Sequence, residues 1–229
     1  MKRTPLILSL ILLFTFCAHA QSVADGGFNT QDGMYVNPRL GFTFNYPKDW
    51  VVHGTATNER IRELGREKAV ESGVGPSVDA ALKDTHQLLT VFRHPVGTPG
   101  VGFNSAILVI AEKVAHAPGI ITGKDYLLNI RELMLKTGSK VLLKEPKEHH
   151  FAEKKFFRDD YALEQNGGHL VQAYFATVIK DYALVFVFMG EDQKSVDEMT
   201  KAMETFDTAM PVRRGVTTVI GPEQKRKPK

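Results

Sequence analysis

From Phe156 to Met189 the sequence reads as an antiparallel meander, and no other stretch constrains the fold as strongly. Phe157, Tyr161 and Leu163 alternate with polar neighbours, and Asn166-Gly167-Gly168 supplies a hairpin turn. Val171, Ala173, Phe175, Thr177 and Ile179 then line one face of a returning strand. Lys180-Asp181 turns the chain into Ala183 to Met189, which is apolar throughout and suits a central strand covered on both faces.

The remaining segments fit around that sheet. Met34 to Asn37 and Gly41 to Tyr46 read as two strands joined by a turn at Asn37-Pro38-Arg39-Leu40, with Phe42, Phe44 and Tyr46 in period-two alternation. Pro47 cannot donate to a ladder, so Pro47-Lys48-Asp49 is a turn that delivers Trp50 and Val51-Val52. Asn58 to Glu71 and Ser77 to Leu82 are helix-permissive with a thin apolar stripe, as expected of surface helices. Gln87 to Phe92 and Ser105 to Ala111 read as strands separated by a Gly/Pro-rich loop. Thr122 and Asp125 then form a capping-box-like pair that opens a helix carrying Tyr126, Leu127, Ile130, Leu133 and Met134 on one face and closed by Gly138. A short strand over Lys140–Leu143 and a final helix over Glu191–Phe206, acidic in its first turn, complete the order. The class is α+β in a single domain.

The 229-residue chain opens with Lys2 and Arg3, an apolar run from Leu6 to Phe16 and Ala18-His19-Ala20, the plan of a secretory signal peptide cut after Ala20. The apolar run is too short for a membrane span. A lipoprotein site at Cys17 is disfavoured because Phe14 and Phe16 occupy places that want smaller or aliphatic residues. Cleavage after Ala20 would remove the only cysteine, so the folded domain must rest on its apolar core. The expected organisation is a leader over 1–20, a flexible mature N-terminus over 21–32, the α+β domain over 33–210 and a basic disordered tail over 211–229. The location implied is periplasmic or secreted.

The charge is unevenly placed. Of the net +3, the leader carries two positive charges and the tail a net five, which leaves the body from Gln21 to Met210 at −4. With no basic face interleaved with aromatics, a nucleic-acid partner is excluded. The tail, ending Lys225-Arg226-Lys227-Pro228-Lys229, offers at most a weak, salt-sensitive contact with an anionic surface.

The stretch Leu40-Gly41-Phe42-Thr43-Phe44-Asn45-Tyr46-Pro47-Lys48-Asp49-Trp50 resembles the opening hairpin of the PsbP-like domain family, and the element order over 33–210 is similar. The resemblance implies a mostly antiparallel sheet flanked by helices on both faces, an α/β/α sandwich. It implies an accessory or binding module acting through a protein partner or small ligand. It carries over no catalytic residue and no cofactor.

Candidate chemistry is sparse. His149-His150, with Glu148 and Glu153 nearby, is the densest group of possible metal ligands, but no His-Glu-x-x-His spacing occurs and the pattern favours a solvated loop. Adjacent histidines on an extended segment point to opposite faces. Asp159-Asp160 suggests paired carboxylates, yet on a strand these also diverge. Asp159 shares its face with Phe157 and Tyr161, which points to a buried, partnered group or an edge-strand charge. An envelope hydrolase or metal-dependent enzyme built on these four residues is the alternative to the binding module. Trp50 reads as a packing residue at a strand end.

Overall fold

The computed structural model describes residues 27–30, 32–53, 70, 85–136, 138–165 and 168–210. The leader with Cys17, the helical segments expected between Asn58 and Leu82 (Val70 apart), the Asn166-Gly167 turn and the tail from Pro211 lie outside the described residues.

Three strands form a small antiparallel sheet: β1 (Phe28–Asn29), β2 (Met34–Asn37) and β3 (Phe42–Asn45), in that order. β1 falls inside the polar segment expected before Gly33, where Phe28 and Asn29 pair with Val36 and Tyr35. The β2–β3 turn is built by Asn37, whose buried side chain accepts from the Leu40 amide at 2.9 Å while its amide group donates to the Tyr35 hydroxyl at 3.1 Å. Gly41 follows at φ +77°, a conformation that a residue with a Cβ adopts only at a cost.

The main sheet contains β4 (Val51–Val52), β5 (Thr85–Phe92), β6 (Ala106–Lys113), β7 (Lys140–Val141), β8 (Lys147–Phe151), β9 (Lys154–Gln165), β10 (Gly168–Ile179) and β11 (Tyr182–Gly190). Its order is β4-β5-β6-β11-β10-β9-β7, with β8 also paired to β9 and every pairing antiparallel. β11 is central, as its unbroken apolar run requires, and all nine of its residues are buried. Its side chains divide by period two. Leu184, Phe186 and Phe188 enter one core; Ala183, Val185, Val187 and Met189 enter the other.

The two cores have different covers. The first contains Phe42, Phe44 and Tyr46 from the β2–β3 hairpin and Val196, Met203 and Phe206 from the C-terminal helical segment. Trp50 packs partly buried against it. The second contains Tyr126, Leu127 and Met134 of helix α1 (Gly123–Lys136), with Ile130 packed against it.

α1 is specified at both ends by its sequence. The Asp125 carboxylate accepts from the Thr122 amide at 2.8 Å, and the Asp125 amide donates to the Thr122 hydroxyl at 3.3 Å, a reciprocal capping box. At the other end Gly138 (φ +84°) donates to the Leu135 carbonyl and Ser139 to that of Met134, the paired bonds of a Schellman motif. Gly123 has a different role. A Cβ placed there would lie 2.0 Å from the Ala176 carbonyl oxygen of β10. The obstacle is backbone, so Gly123→Ala is expected to lift the start of α1 from the sheet. It should destabilise the fold by about 1–3 kcal/mol in urea unfolding, although alanine is the better helix former. An unchanged midpoint would show that the helix seat tolerates a methyl group.

Three elements differ from the sequence expectation. The strand after α1 covers only Lys140–Val141, although the Leu142 amide still donates to the Asp160 carbonyl in the same register. The expected helix over Glu191–Phe206 is a shorter helix, α2 (Gln193–Thr200), followed by a 3-10 turn over Lys201–Thr205. Asp192 is its N-cap and not a first-turn acid, accepting from the Ser195 amide at 2.7 Å, so helix formation begins after it. The His149-His150 segment, expected as a solvated loop, is strand β8, because Lys147–Phe151 finds the outer edge of β9 open and pairs along it.

Candidate functional site

The charged residues singled out in the sequence meet on β8 and β9, where the two cores adjoin the sheet margin. On β9, Phe156, Arg158 and Asp160 face the first core, and Phe157, Asp159 and Tyr161 face the second. β9 is not an edge: β10 pairs along one side, and β7 and β8 along the other. Of the two readings of Asp159, the buried and partnered one holds.

Asp159 is fully buried and fully engaged. Its Oδ2 accepts from Arg131 Nε at 2.9 Å and from the Tyr161 hydroxyl at 2.7 Å, and its Oδ1 accepts from Arg131 Nη2 at 2.8 Å. Arg131 comes from α1 and also donates to the Lys144 and Leu143 carbonyls. This bidentate geometry is the strong form of an arginine–carboxylate contact. The hydrogen bond to Asp159 raises the Arg131 guanidinium further above its ordinary value. Burial, reinforced by the Asp159 charge, pushes the Tyr161 hydroxyl well above the usual tyrosine range.

Asp160 does the corresponding work on the opposite face. Arg158 donates to it through Nε and Nη2, both at 2.7 Å, and Arg158 Nη2 also reaches Asp197 of α2. Gln193, one turn before Asp197, bonds both carboxylates, at 3.0 and 3.1 Å. The Arg158 guanidinium lies 5.5 Å above the Phe175 ring. Asp159 is thus tied to α1 through Arg131 and Asp160 to α2 through Gln193, and each has both oxygens occupied.

His149 and His150 separate as adjacent strand residues must. The His149 ring stands edge-on to Phe175 at 5.4 Å and parallel to Phe151 at 6.0 Å, half-buried over the first core. Burial, with the nearby Arg158 charge, holds its imidazole below the ordinary value. His150 is mostly exposed, and its Nε2 lies 3.5 Å from Glu148. Among the described residues no group of three or more His, Cys, Asp or Glu side chains converges in a way that would hold a metal ion. None of the described helices is long and apolar enough to cross a membrane.

No family model matches the chain, and no curated protein matches it in sequence. Solved structures do resemble it. Cyanobacterial PsbP (CyanoP) from Synechocystis sp. PCC 6803 is similar over 80% of this chain and 95% of its own, with 11% identity and a TM-score of 0.40. LpqN, described as involved in cell envelope biogenesis of Mycobacterium tuberculosis, covers 72% of this chain and 78% of its own at 9% identity and a TM-score of 0.39. A protein from Bacteroides thetaiotaomicron reaches a TM-score of 0.43 at 12% identity over 79% of this chain, which spans half of that protein's length.

Sequence reasoning places Asp159 and Asp160 correctly on opposite faces but does not find their partners. Two were within reach: Tyr161 and Arg158 each stand two residues from the aspartate they bond, and alternate strand residues share a face. Arg131 was not, because it lies 28 residues before Asp159 and belongs to another element. Gln193 is further still, 33 residues after Asp160.

Proposed function

We propose that this protein is an exported, non-enzymatic binding or accessory module that works in the cell envelope through a protein partner or a small ligand. The observation that carries the reading is the occupation of Asp159 and Asp160. Each of these carboxylates, the best candidates for acid–base chemistry in the sequence, has both oxygens bonded to groups that fasten a helix to the sheet. A general base needs a lone pair facing substrate; Asp159 accepts four hydrogen bonds and Asp160 three, and both side chains are buried away from solvent. The leader ending at Ala20 supports export to the periplasm or beyond. The Gly41–Trp50 hairpin motif, with α1 and α2 packed into different cores, supports a PsbP-like α/β/α sandwich.

The test is cross-linking and co-purification of the tagged protein from its own envelope fraction at low salt. A stoichiometric protein partner, or a retained small molecule seen by native mass spectrometry, is the expected result. Recovery of the protein alone, with bound metal that His149→Ala and His150→Ala remove, would overturn it in favour of a metal-dependent activity.

A further inference from the structure

β8 is the one strand of the main sheet that lies off its continuous order, and β9 is its single partner among the described residues. Its two ends are fixed independently of that pairing. Before it, the Leu143 and Lys144 carbonyls are held by Arg131, and Pro146 is buried. After it, Ala152 turns the chain at φ +46°, a left-handed conformation that a non-glycine residue adopts at a cost. β8 can therefore leave β9 and return with both ends held. What packs it down is one face. Lys147, His149 and Phe151 share the side toward the first core, where Phe151 stands edge-on to Phe156 at 5.6 Å and to Phe175 at 5.7 Å. Glu148 and His150 lie on the other, exposed side, where Lys155 is 3.1 Å from Glu148.

His149 sits on that packed face among charges that already balance without it. Lys147 stands directly opposite Arg158, and the Arg158 guanidinium lies over the same Phe175 ring that His149 meets edge-on. Asp160, on the same side of β9, and Asp197 of α2 are both bonded by Arg158 and Gln193. From β10 the neighbouring residues are apolar, Ala173 and Phe175. The 3-10 turn, which also packs beside β8, brings Lys201 and Glu204, one charge of each sign. Neutral, the His149 ring is a flat plate between Phe151 and Phe175; protonated, it is a third cation beside Lys147 and Arg158 with both carboxylates taken. We infer that β8 is an acid-released strand: the neutral His149 ring holds it on β9, and a proton on that ring frees it. Release would unpair the β9 edge over 154–158 and uncover the Phe156 and Phe175 rings.

The sign follows from linkage. In the released strand the imidazole titrates at its ordinary value of 6.5, whereas burial and the Arg158 charge hold the packed ring lower. Opening therefore takes up a proton. The packed state is fully favoured above the ordinary value and loses ground as the pH falls below it, until the packed ring titrates too. This device is separate from any envelope partner, and either can fail without the other.

Amide hydrogen exchange of the exported chain, read by mass spectrometry at about pH 7.5 and about pH 5 and corrected for the intrinsic pH dependence of exchange, tests this. Protection of the 147–151 segment is expected to fall at least about threefold at the lower pH while that of β11 stays unchanged. His149→Phe keeps a flat ring between Phe151 and Phe175 and cannot take a proton, so its β8 protection should be the same at both values. His150→Gln, altered on the exposed side, should keep the parent's fall. Circular dichroism checks that each variant stays folded at both values. Constant protection of β8 in the parent overturns the inference, as does a fall that persists in His149→Phe or disappears in His150→Gln. An equal fall across β11 also overturns it, since that is general acid unfolding and not release of one strand.

Discussion

Replacing Asp159 by alanine is expected to lower the unfolding free energy by about 3–5 kcal/mol, since it takes the bidentate partner from a guanidinium that is largely shielded from water. Arg131 retains two carbonyl contacts but loses a bidentate partner, and the Tyr161 hydroxyl loses its acceptor in the same step. The Arg131 side chain is only 17% exposed, so water can replace little of what is removed. Asp160→Ala is expected to cost less, because Arg158 keeps Asp197 and the cation–π contact with Phe175. Urea unfolding followed by the fluorescence of Trp50, the single tryptophan, reads both. The decisive control replaces the pair together. Arg131→Met with Asp159→Leu should recover a large part of the loss, because a well-packed apolar pair avoids the desolvation that a lone charge suffers. A loss below about 1 kcal/mol for Asp159→Ala would mean that solvent enters beneath α1 and that the clamp is ornamental.

The same residues show how far one sequence can be read. Period-two alternation locates β3, β9 and β10, the Gly/Pro-rich loop separates β5 from β6, and the apolar run of β11 places it at the centre, because an uninterrupted apolar strand has to be covered on both faces. The caps of α1 were legible because Thr122, Asp125 and Gly138 act on backbone groups a few residues away. β8 was missed for a physical reason. Lys-Glu-His-His carries no apolar alternation, and such a segment becomes a strand only because β9 offers it unpaired backbone groups; its charges are those that commonly protect an edge. The break of the last helix at Lys201 was equally hidden. Val196, Met203 and Phe206 keep a helix-like spacing across it, and the 3-10 turn still delivers Met203 and Phe206 to the first core. For the candidate site, strand geometry gave the divergence of Asp159 from Asp160 and of His149 from His150. Tyr161 and Arg158 stand two residues from the aspartates they bond, but Arg131 and Gln193 reach them across 28 and 33 residues, which no local pattern encodes.

Phe186→Ala should cost as much as the loss of Asp159, about 3–5 kcal/mol, by cavity formation alone. Phe186 is fully buried in the middle of β11, and four rings from other elements pack around it. Phe44 lies at 4.9 Å, Phe42 and Phe206 at 5.9 Å and Phe156 at 6.0 Å between centroids, all tilted or edge-on. Such pairs contribute roughly 0.5–1.5 kcal/mol each beyond the area they bury, so the cost should lie at the upper end of the range. The rings belong to β3, β9 and the segment after the 3-10 turn, and Phe186 is where all three meet the sheet. Phe186→Leu keeps most of the volume but none of the ring contacts, and should fall between alanine and the parent. Equilibrium urea unfolding measures the ladder of the three proteins. Near-ultraviolet circular dichroism shows whether the hairpin and the C-terminal segment stay ordered against the sheet. If Phe186→Ala costs less than about 2 kcal/mol, the surrounding aromatic rings have collapsed into the space, and the first core is more plastic than its packing implies. A loss within the expected range makes Phe186 the residue that couples the β2–β3 hairpin and the C-terminal segment into one cooperative unit.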